Sequence, residues 1–178
     1  MIGLTTGRET SQRLNILLKE LASTIPNSRI SRRGKSSLED LSRRFVEEGF
    51  GHAVALYRWH GGPGRIEFFN VKPSGLEQVP PTLLLRSVKL RREYGIRGQH
   101  TINAITCQGS SAEARRLREV LTKALELPES ESFKNATCSL HVRESTRETI
   151  ELVVTSPPCT REIGPKLVIS GLLWHVER

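Results

Sequence analysis

The sequence predicts an α/β protein of mixed (α+β) sheets, made of two tandem, pseudo-repeated halves. Three observations lead there. With 178 residues and 37% apolar residues, the chain can bury a core. Apolar residues recur at helical spacing after hydroxyl caps, and β-rich runs bounded by turn residues follow each such stretch. The sequence also matches itself. An offset of 84 sets Ile66-Glu67-Phe68-Phe69 over Ile150-Glu151-Leu152-Val153, and Pro81 to Leu85 over Pro165 to Ile169. It pairs Leu56 with Leu140, Val88 with Leu172 and Glu93 with Glu177. Near the front of each unit an offset of 100 fits better, setting Thr6, Ser11, Leu17 and Leu21 over Thr106, Ser111, Leu117 and Leu121. The sixteen-residue difference is about one helix with its loop, carried by the first copy alone. Two copies form a tandem pair, too few for a solenoid.

Ile2 to Thr6 reads as a short strand. Thr10 or Ser11 caps a helix whose apolar positions are Leu14, Leu17, Leu18, Leu21 and Ile25, stopped by Pro26 and Asn27. Arg29 to Arg32 fits a short strand. Ser36-x-x-Glu39 reads as a capping box opening a helix with Leu38, Leu41 and Phe45 on one face and Gly49 at its end. This helix is the candidate for the extra segment. Ala53 to Trp59 and Arg65 to Val71 are strands joined by His60-Gly61-Gly62-Pro63-Gly64, a hairpin turn. Thr82 to Arg92 reads as a long strand, with a helix as the alternative. The second copy runs as strand (101–107), helix (111–127) and strands at 136–143, 149–155 and 166–176. Each copy is expected to be a mixed sheet covered on one face by one or two helices. Leu14, Leu17, Leu21, Leu56, Leu117, Leu121, Leu140 and Trp174 are expected to be buried.

Charge divides the chain. Residues 1–97 hold 17 basic and 9 acidic side chains, whereas residues 98–178 hold 10 of each, so the whole net charge of +8 lies in the first half. Arginine outnumbers lysine 20 to 7, and the guanidinium fork suits phosphate oxygens. Such polarity fits a polyanion, most simply nucleic acid; a solubilising surface charge is the other reading.

Other chemistries find little support. The glycine run at 61–64 links two strands and lacks the phosphate-loop pattern, and no nucleophile elbow follows His60-Gly61-Gly62. The five histidines show no zinc-like spacing. Cys107, Cys138 and Cys159 are odd in number and widely spaced, against a disulfide framework or a zinc ribbon. Carboxylates alternate with basic residues along helices, as Glu119 does with Lys123. No cofactor, metal, catalytic residue or small-molecule substrate is indicated. The apolar stretch from Leu167 to Val176 is half the length of a membrane helix. The opening residues lack the regions of a signal peptide, so a cytoplasmic location is expected.

The candidate RNA-binding residues fall in three segments. Arg8 and Arg13 flank the start of the first helix. Arg29, Arg32, Arg33 and Lys35 precede the second. Arg86, Lys89, Arg91, Arg92 and Arg97 form the densest run. In strand geometry Leu83, Leu85, Ser87, Lys89 and Arg91 share one face, and Leu84, Arg86, Val88, Leu90 and Arg92 the other. Positions 86, 89 and 91 become Ser170, Leu173 and His175 in the second copy, so one copy is expected to face a polyanion and the other to pack or to face protein. Aromatics are 5% and no RNP-like motif is present, which points to backbone contacts over base reading.

Leu4-Thr5-Thr6-Gly7-Arg8-Glu9-Thr10-Ser11-Gln12-Arg13, followed by Lys19-Glu20-Leu21, resembles the opening of Brix-domain proteins. Ser31-Arg32-Arg33-Gly34 is similar to that family's N-R-G. Val79-Pro80-Pro81-Thr82 stands where the family has G-P-T, and Glu162-Ile163-Gly164-Pro165-Lys166 resembles its E-x-G-P-[RK]. The match runs in order along nearly the whole chain. Gly7 stands for a common Ser, Thr10 for a common Pro and Pro80 for the Gly of G-P-T.

The resemblance implies one Brix domain over residues 1–178, made of a basic half (1–97) and a neutral half (98–178). Each half is expected to be similar to the anticodon-binding domain of class II aminoacyl-tRNA synthetases. It implies a non-enzymatic ribosome biogenesis factor that binds precursor ribosomal RNA, of the small subunit in the member most similar. Guide RNA and other assembly proteins are implied partners, and RNA annealing or scaffolding the implied role. A protein–protein adaptor and a tRNA-binding accessory domain are the alternatives.

Overall fold

The first strand, β1 (Ile2–Thr6), is buried along its whole length, as its continuous apolar and threonine run suits a strand covered on both faces. The computed structural model describes residues 1–96, 98–109, 111–128, 138–146, 149–156 and 161–175. After β1, Ser11 caps α1 (Gln12–Thr24), its Oγ accepting from the Leu14 amide at 3.2 Å. Leu14, Leu17 and Leu18 are buried, and Ile25 closes the helix. The chain returns as β2 (Ser28–Ile30), parallel to β1.

The second helix, α2 (Leu38–Glu47), starts one residue later than its sequence signature suggested. The capping box is Ser37 with Asp40, not Ser36 with Glu39. Ser36 Oγ lies 3.3 Å from Arg44 Nη2, while the Asp40 carboxylate accepts from the Ser37 amide at 3.1 Å. Leu41 and Phe45 are buried and Leu38 is exposed.

The remaining elements are β3 (His52–Trp59), β4 (Gly62–Lys72), β5 (Gly75–Lys89), a single 3-10 turn (Arg91–Tyr94), β6 (Ala104–Gln108), α3 (Ala112–Ala124), β7 (Ser139–Thr146), β8 (Thr149–Ser156) and β9 (Arg161–Leu173). The expectation of a separate sheet in each half is corrected. The nine strands among the described residues form one mixed sheet in the order β2-β1-β3-β4-β5-β9-β8-β7-β6. Antiparallel pairing of β5 with β9 joins the halves, with Leu83 opposite Leu172 and Lys89 opposite Lys166. Unpaired, those two long strands would each expose a row of backbone donors and acceptors.

The expectation that both helices of the first half cover one face is also corrected: α1 and α2 lie on opposite faces of the sheet. Leu14, Leu17, Leu117 and Leu121 from α1 and α3 join Val54, Leu56, Ile66, Leu152 and Leu167 in one continuous core. On the other face, Leu41 and Phe45 of α2 pack with Phe50, Ala53, Ala55 and Phe69. Successive β3 residues feed the two cores in alternation, as the period of two requires. Leu21 and Leu140 are half-buried against the main core. Trp174 is half-buried too; its indole N–H donates to Glu113 Oε1 at 3.4 Å, and the Arg116 guanidinium lies 3.9 Å from its ring centre.

Strict alternation fails in β5. Leu83 and Val88 are both buried in the main core, although five residues apart, because the ladder to β9 shifts register between Leu84 and Leu85 and again between Leu85 and Ser87. The strand ends at Lys89, and the chain then tightens into the 3-10 turn. In the second half the face away from α3 carries charge. Glu151 accepts from Arg143 at 2.6 Å and from Lys166 at 2.8 Å, and Arg143 also reaches Glu162 at 2.8 Å. No described helix is long and apolar enough to cross a membrane. Cys138 is buried and Cys107 half-buried; Cys159 lies outside the described residues.

Candidate nucleic-acid interface

The loops leaving the C-terminal ends of β1 and β2 bring two of the three basic segments together. Gly7 and Arg8 follow β1, and Arg32 to Lys35 follow β2, its parallel neighbour. A groove of about 450 Å³ opens between these loops and α1. Arg8, Lys19, Arg32, Arg33 and Lys35 line it, and no acidic residue does. The first turn of α1 also contains no acidic residue, so the positive end of the helix dipole adds to the field. Arg33 Nε donates to the Ser36 carbonyl at 3.1 Å, and Arg44 Nη1 donates to the Arg32 carbonyl at 3.0 Å. These bonds hold the loop while leaving Arg32 and Lys35 exposed.

The third segment divides. Arg86, Lys89 and Arg92 are exposed, the Lys89 ammonium lying 3.9 Å from the centre of the Tyr94 ring. Arg91 is corrected: it is buried, at 7% accessibility. Its guanidinium donates to Gly98 O, Ser23 Oγ and Thr24 Oγ1, so it is a clamp and not a phosphate contact. The 3-10 turn ends the strand alternation that would have set Arg91 facing solvent. Arg13 is half-buried and forks onto Glu93 at 3.0 and 2.9 Å, also reaching Val88 O at 2.6 Å. The Arg13 hydrogen bonds and the Leu90 amide hold the Glu93 carboxyl below the usual carboxylate range. Arg13 thereby ties the turn to α1. Arg29 is exposed on β2, outside the groove lining, and Arg97 lies outside the described residues.

Sequence reasoning missed a second cleft, of about 780 Å³, that shares Gly7, Arg8 and Arg33 with the first. Its far wall is the β3–β4 hairpin, with Tyr57, Arg58, Trp59 and Arg65. The Arg65 guanidinium sits 4.5 Å from the Tyr57 ring centre and 3.1 Å from Glu67. Burial and the neighbouring Glu67 push the Tyr57 phenol well above its usual range. The interleaved Tyr57-Arg58-Trp59 was the available signal, but only the hairpin brings Arg65 beside it. Among the described residues no three His, Cys, Asp or Glu converge as metal ligands.

No family model matches the chain. Several curated proteins do. A probable Brix domain-containing ribosomal biogenesis protein of Pyrococcus horikoshii is 29% identical over 102 residues, covering 57% of this chain and 45% of that protein. The one from Aeropyrum pernix is 30% identical over 90 residues, covering 51% and 50%. This chain is a relative of the Brix-domain proteins. The region matched is about half the length of those curated Brix relatives. Two crystal structures share the fold. A probable ribosomal biogenesis protein from Aeropyrum pernix K1 superposes with a TM-score of 0.79 at 21% identity, over 95% of this chain and 94% of that one. An archaeal Imp4-like protein gives 0.70 at 20% identity, over 98% and 100%.

Proposed function

We propose that this chain is a ribosome biogenesis factor that binds precursor ribosomal RNA through the basic groove at the start of α1. The observation that carries the reading is the convergence of Arg8, Lys19, Arg32, Arg33 and Lys35 on one groove with no acidic lining residue. The names of the curated relatives direct that RNA-binding capacity towards ribosome assembly. Arginine and lysine contacts to phosphates hold RNA without reading its sequence. A positive surface of this kind screens the repulsion between two strands, which suits an annealing or scaffolding role on small-subunit precursor with a guide RNA. The groove offers phosphate contacts and no arranged acid, base or nucleophile, so the reading is non-enzymatic.

The same reading treats residues 1–178 as one domain of two related halves. In its favour, each half has a strand paired in parallel with the strand after its helix, β1 with β3 and β6 with β7. Each then continues through antiparallel neighbours to the β5–β9 seam. On this view α2 and β2 are the segment present in the first half alone.

Crosslinking the protein to RNA in cells and sequencing what is bound tests the reading. Enrichment of small-subunit precursor is expected. Recovery of tRNA would replace it with the accessory-domain reading, and recovery of protein without RNA with the adaptor reading.

A further inference from the structure

Trp59 is 69% accessible, the most exposed large apolar side chain among the described residues. Leaving an indole in water forgoes burial of a large apolar surface. Its place is fixed. It pairs with Gly62 across the hairpin, and the His60 ring meets it edge-on at 5.1 Å. Gly64 passes so close that a Cβ there would fall 2.0 Å from the Trp59 Cβ. The indole is therefore held out by a tight turn.

Charge surrounds it. The cleft beside Trp59 is walled by Arg8, Arg33, Arg58 and Arg65. Arg58 lies 4.0 Å from Glu9, and Arg65 is paired with Glu67. Arg8 and Arg33 form no ion pair among the described residues. The cleft continues along Leu84 and Leu85 to Ser170 and Leu173, so it crosses from one half to the other.

We infer that this cleft binds single-stranded RNA, with a base stacked on Trp59 and the flanking phosphates held by Arg8 and Arg33. The inference rests on the RNA-binding reading above and adds to it a strand preference. An aromatic ring beside a basic track is the arrangement that holds single strands without sequence choice, because every base has a π-face. A base inside a duplex has no uncovered face to offer. Arg65, stacked on Tyr57, leaves Trp59 as the open ring of the pair.

The test uses the full chain and three RNA probes: single strands of uridylate or adenylate of about twelve nucleotides, and an A-form duplex of equal length. The chain has two tryptophans, so replacing Trp174 with Phe makes Trp59 the sole emitter. Both single strands are expected to quench it, and the duplex to leave it nearly unchanged. Trp59→Ala should weaken single-strand binding roughly five- to hundredfold and duplex binding by less than about twofold. Its salt slope should match that of the parent, because no charge is lost. Trp59→Phe should restore most of the loss, which separates stacking from a folding defect. Unquenched emission, or an alanine variant that binds single strands like the parent, overturns the stacking inference and leaves the RNA-binding reading standing. An equal loss on duplex and single strands overturns it too. Absence of salt-dependent binding to all three probes removes both.

Discussion

Arg91 Nη2 donates to Thr24 Oγ1 over 2.8 Å, and this contact fastens the turn after β5 to the last turn of α1. The Arg91 amide reinforces it by donating to Glu20 Oε2 at 2.9 Å. Removing the guanidinium leaves Thr24 and the Gly98 carbonyl short of a charged donor in a buried place. Arg91→Ala should therefore cost about 2–4 kcal/mol, read as a lower denaturant midpoint at unchanged slope. The salt dependence of RNA binding in the folded variant should stay that of the parent. A lower salt slope at full stability would return Arg91 to the phosphate contacts.

The groove residues should behave in the opposite way. Arg32→Ala, Arg33→Ala and Lys35→Ala combined should lower the log–log salt slope by roughly two to three units, since each phosphate contact contributes about 0.7 on single strands and 0.9 on a B-form duplex. All RNA sequences should weaken alike. Replacing Arg115, Arg116 and Arg118 of α3 should change the slope by less than about one unit. Arg116 is spent on the Trp174 ring, and Glu113 and Glu119 share the helix. Equal losses in the two triple variants would show that the charge split between the halves does not direct binding.

Much of this was legible from residue order. Helical spacing and the Ser11 cap located α1, and the turn glycines located the β3–β4 hairpin. What failed were relations made only in three dimensions. The bulge in β5 swaps the faces of the very strand that carries the dense basic run, because pairing with β9 imposes a register that local alternation does not encode. The same pairing merges two expected sheets into one. Arg91 and Arg92 look alike in sequence, yet one is buried and the other exposed. The basic groove was foreseen in its members at 8, 32, 33 and 35 because they flank helix starts. Lys19 and the hairpin arginines were not, since their neighbours are distant in sequence.

Acid should loosen the second half in two stages. Burial, and then the nearby Arg143, hold the His141 imidazole below its usual range. Its stabilising contribution is complete above the unfolded value of about 6.5 and is lost as pH falls below it. Burial raises the Glu151 carboxyl, but hydrogen bonds from Lys166 and Arg143 outweigh that and leave it lowered. Glu162 is likewise raised by burial and lowered on balance by Arg143 and Tyr94. Both contributions are complete above the unfolded carboxylate value of about 4.3 and are lost as pH falls through the folded values. Midpoints from urea titrations at successive pH values should thus drop first below 6.5 and again below 4.3. In His141→Gln the first drop should shrink, and in Glu151→Gln the second. An unchanged pH profile in Glu151→Gln would show that the network is not coupled to folding.

The shared core implies that the halves melt together. Leu117 is buried among residues of both halves, so Leu117→Ala should cost about 2–5 kcal/mol. Hydrogen exchange should then accelerate to a similar degree in β1 and in β8, which lie in different halves but border one core. Acceleration confined to β6–β9 would show that the second half opens by itself.

Gly7 and Tyr57 should be energetically coupled. A Cβ on Gly7 would fall 2.8 Å from Tyr57 Cδ1, closer than two carbon atoms pack. The ring lies under the Arg65 guanidinium and its phenol is half-buried, so it has little room to withdraw. A serine here would collide with this ring, which accounts physically for the glycine in this chain. Gly7→Ser should cost about 1–3 kcal/mol as overpacking and, by displacing Tyr57 and Arg65, weaken RNA binding at the cleft. Tyr57→Val removes the obstructing ring and carries its own cost of lost packing. With the ring gone, Gly7→Ser should become nearly neutral, so the double variant should be more stable than the sum of the single losses by about 1 kcal/mol or more. The four denaturant midpoints of this cycle decide the matter. Strict additivity would mean that the ring moves aside freely and that Gly7 is not explained by Tyr57.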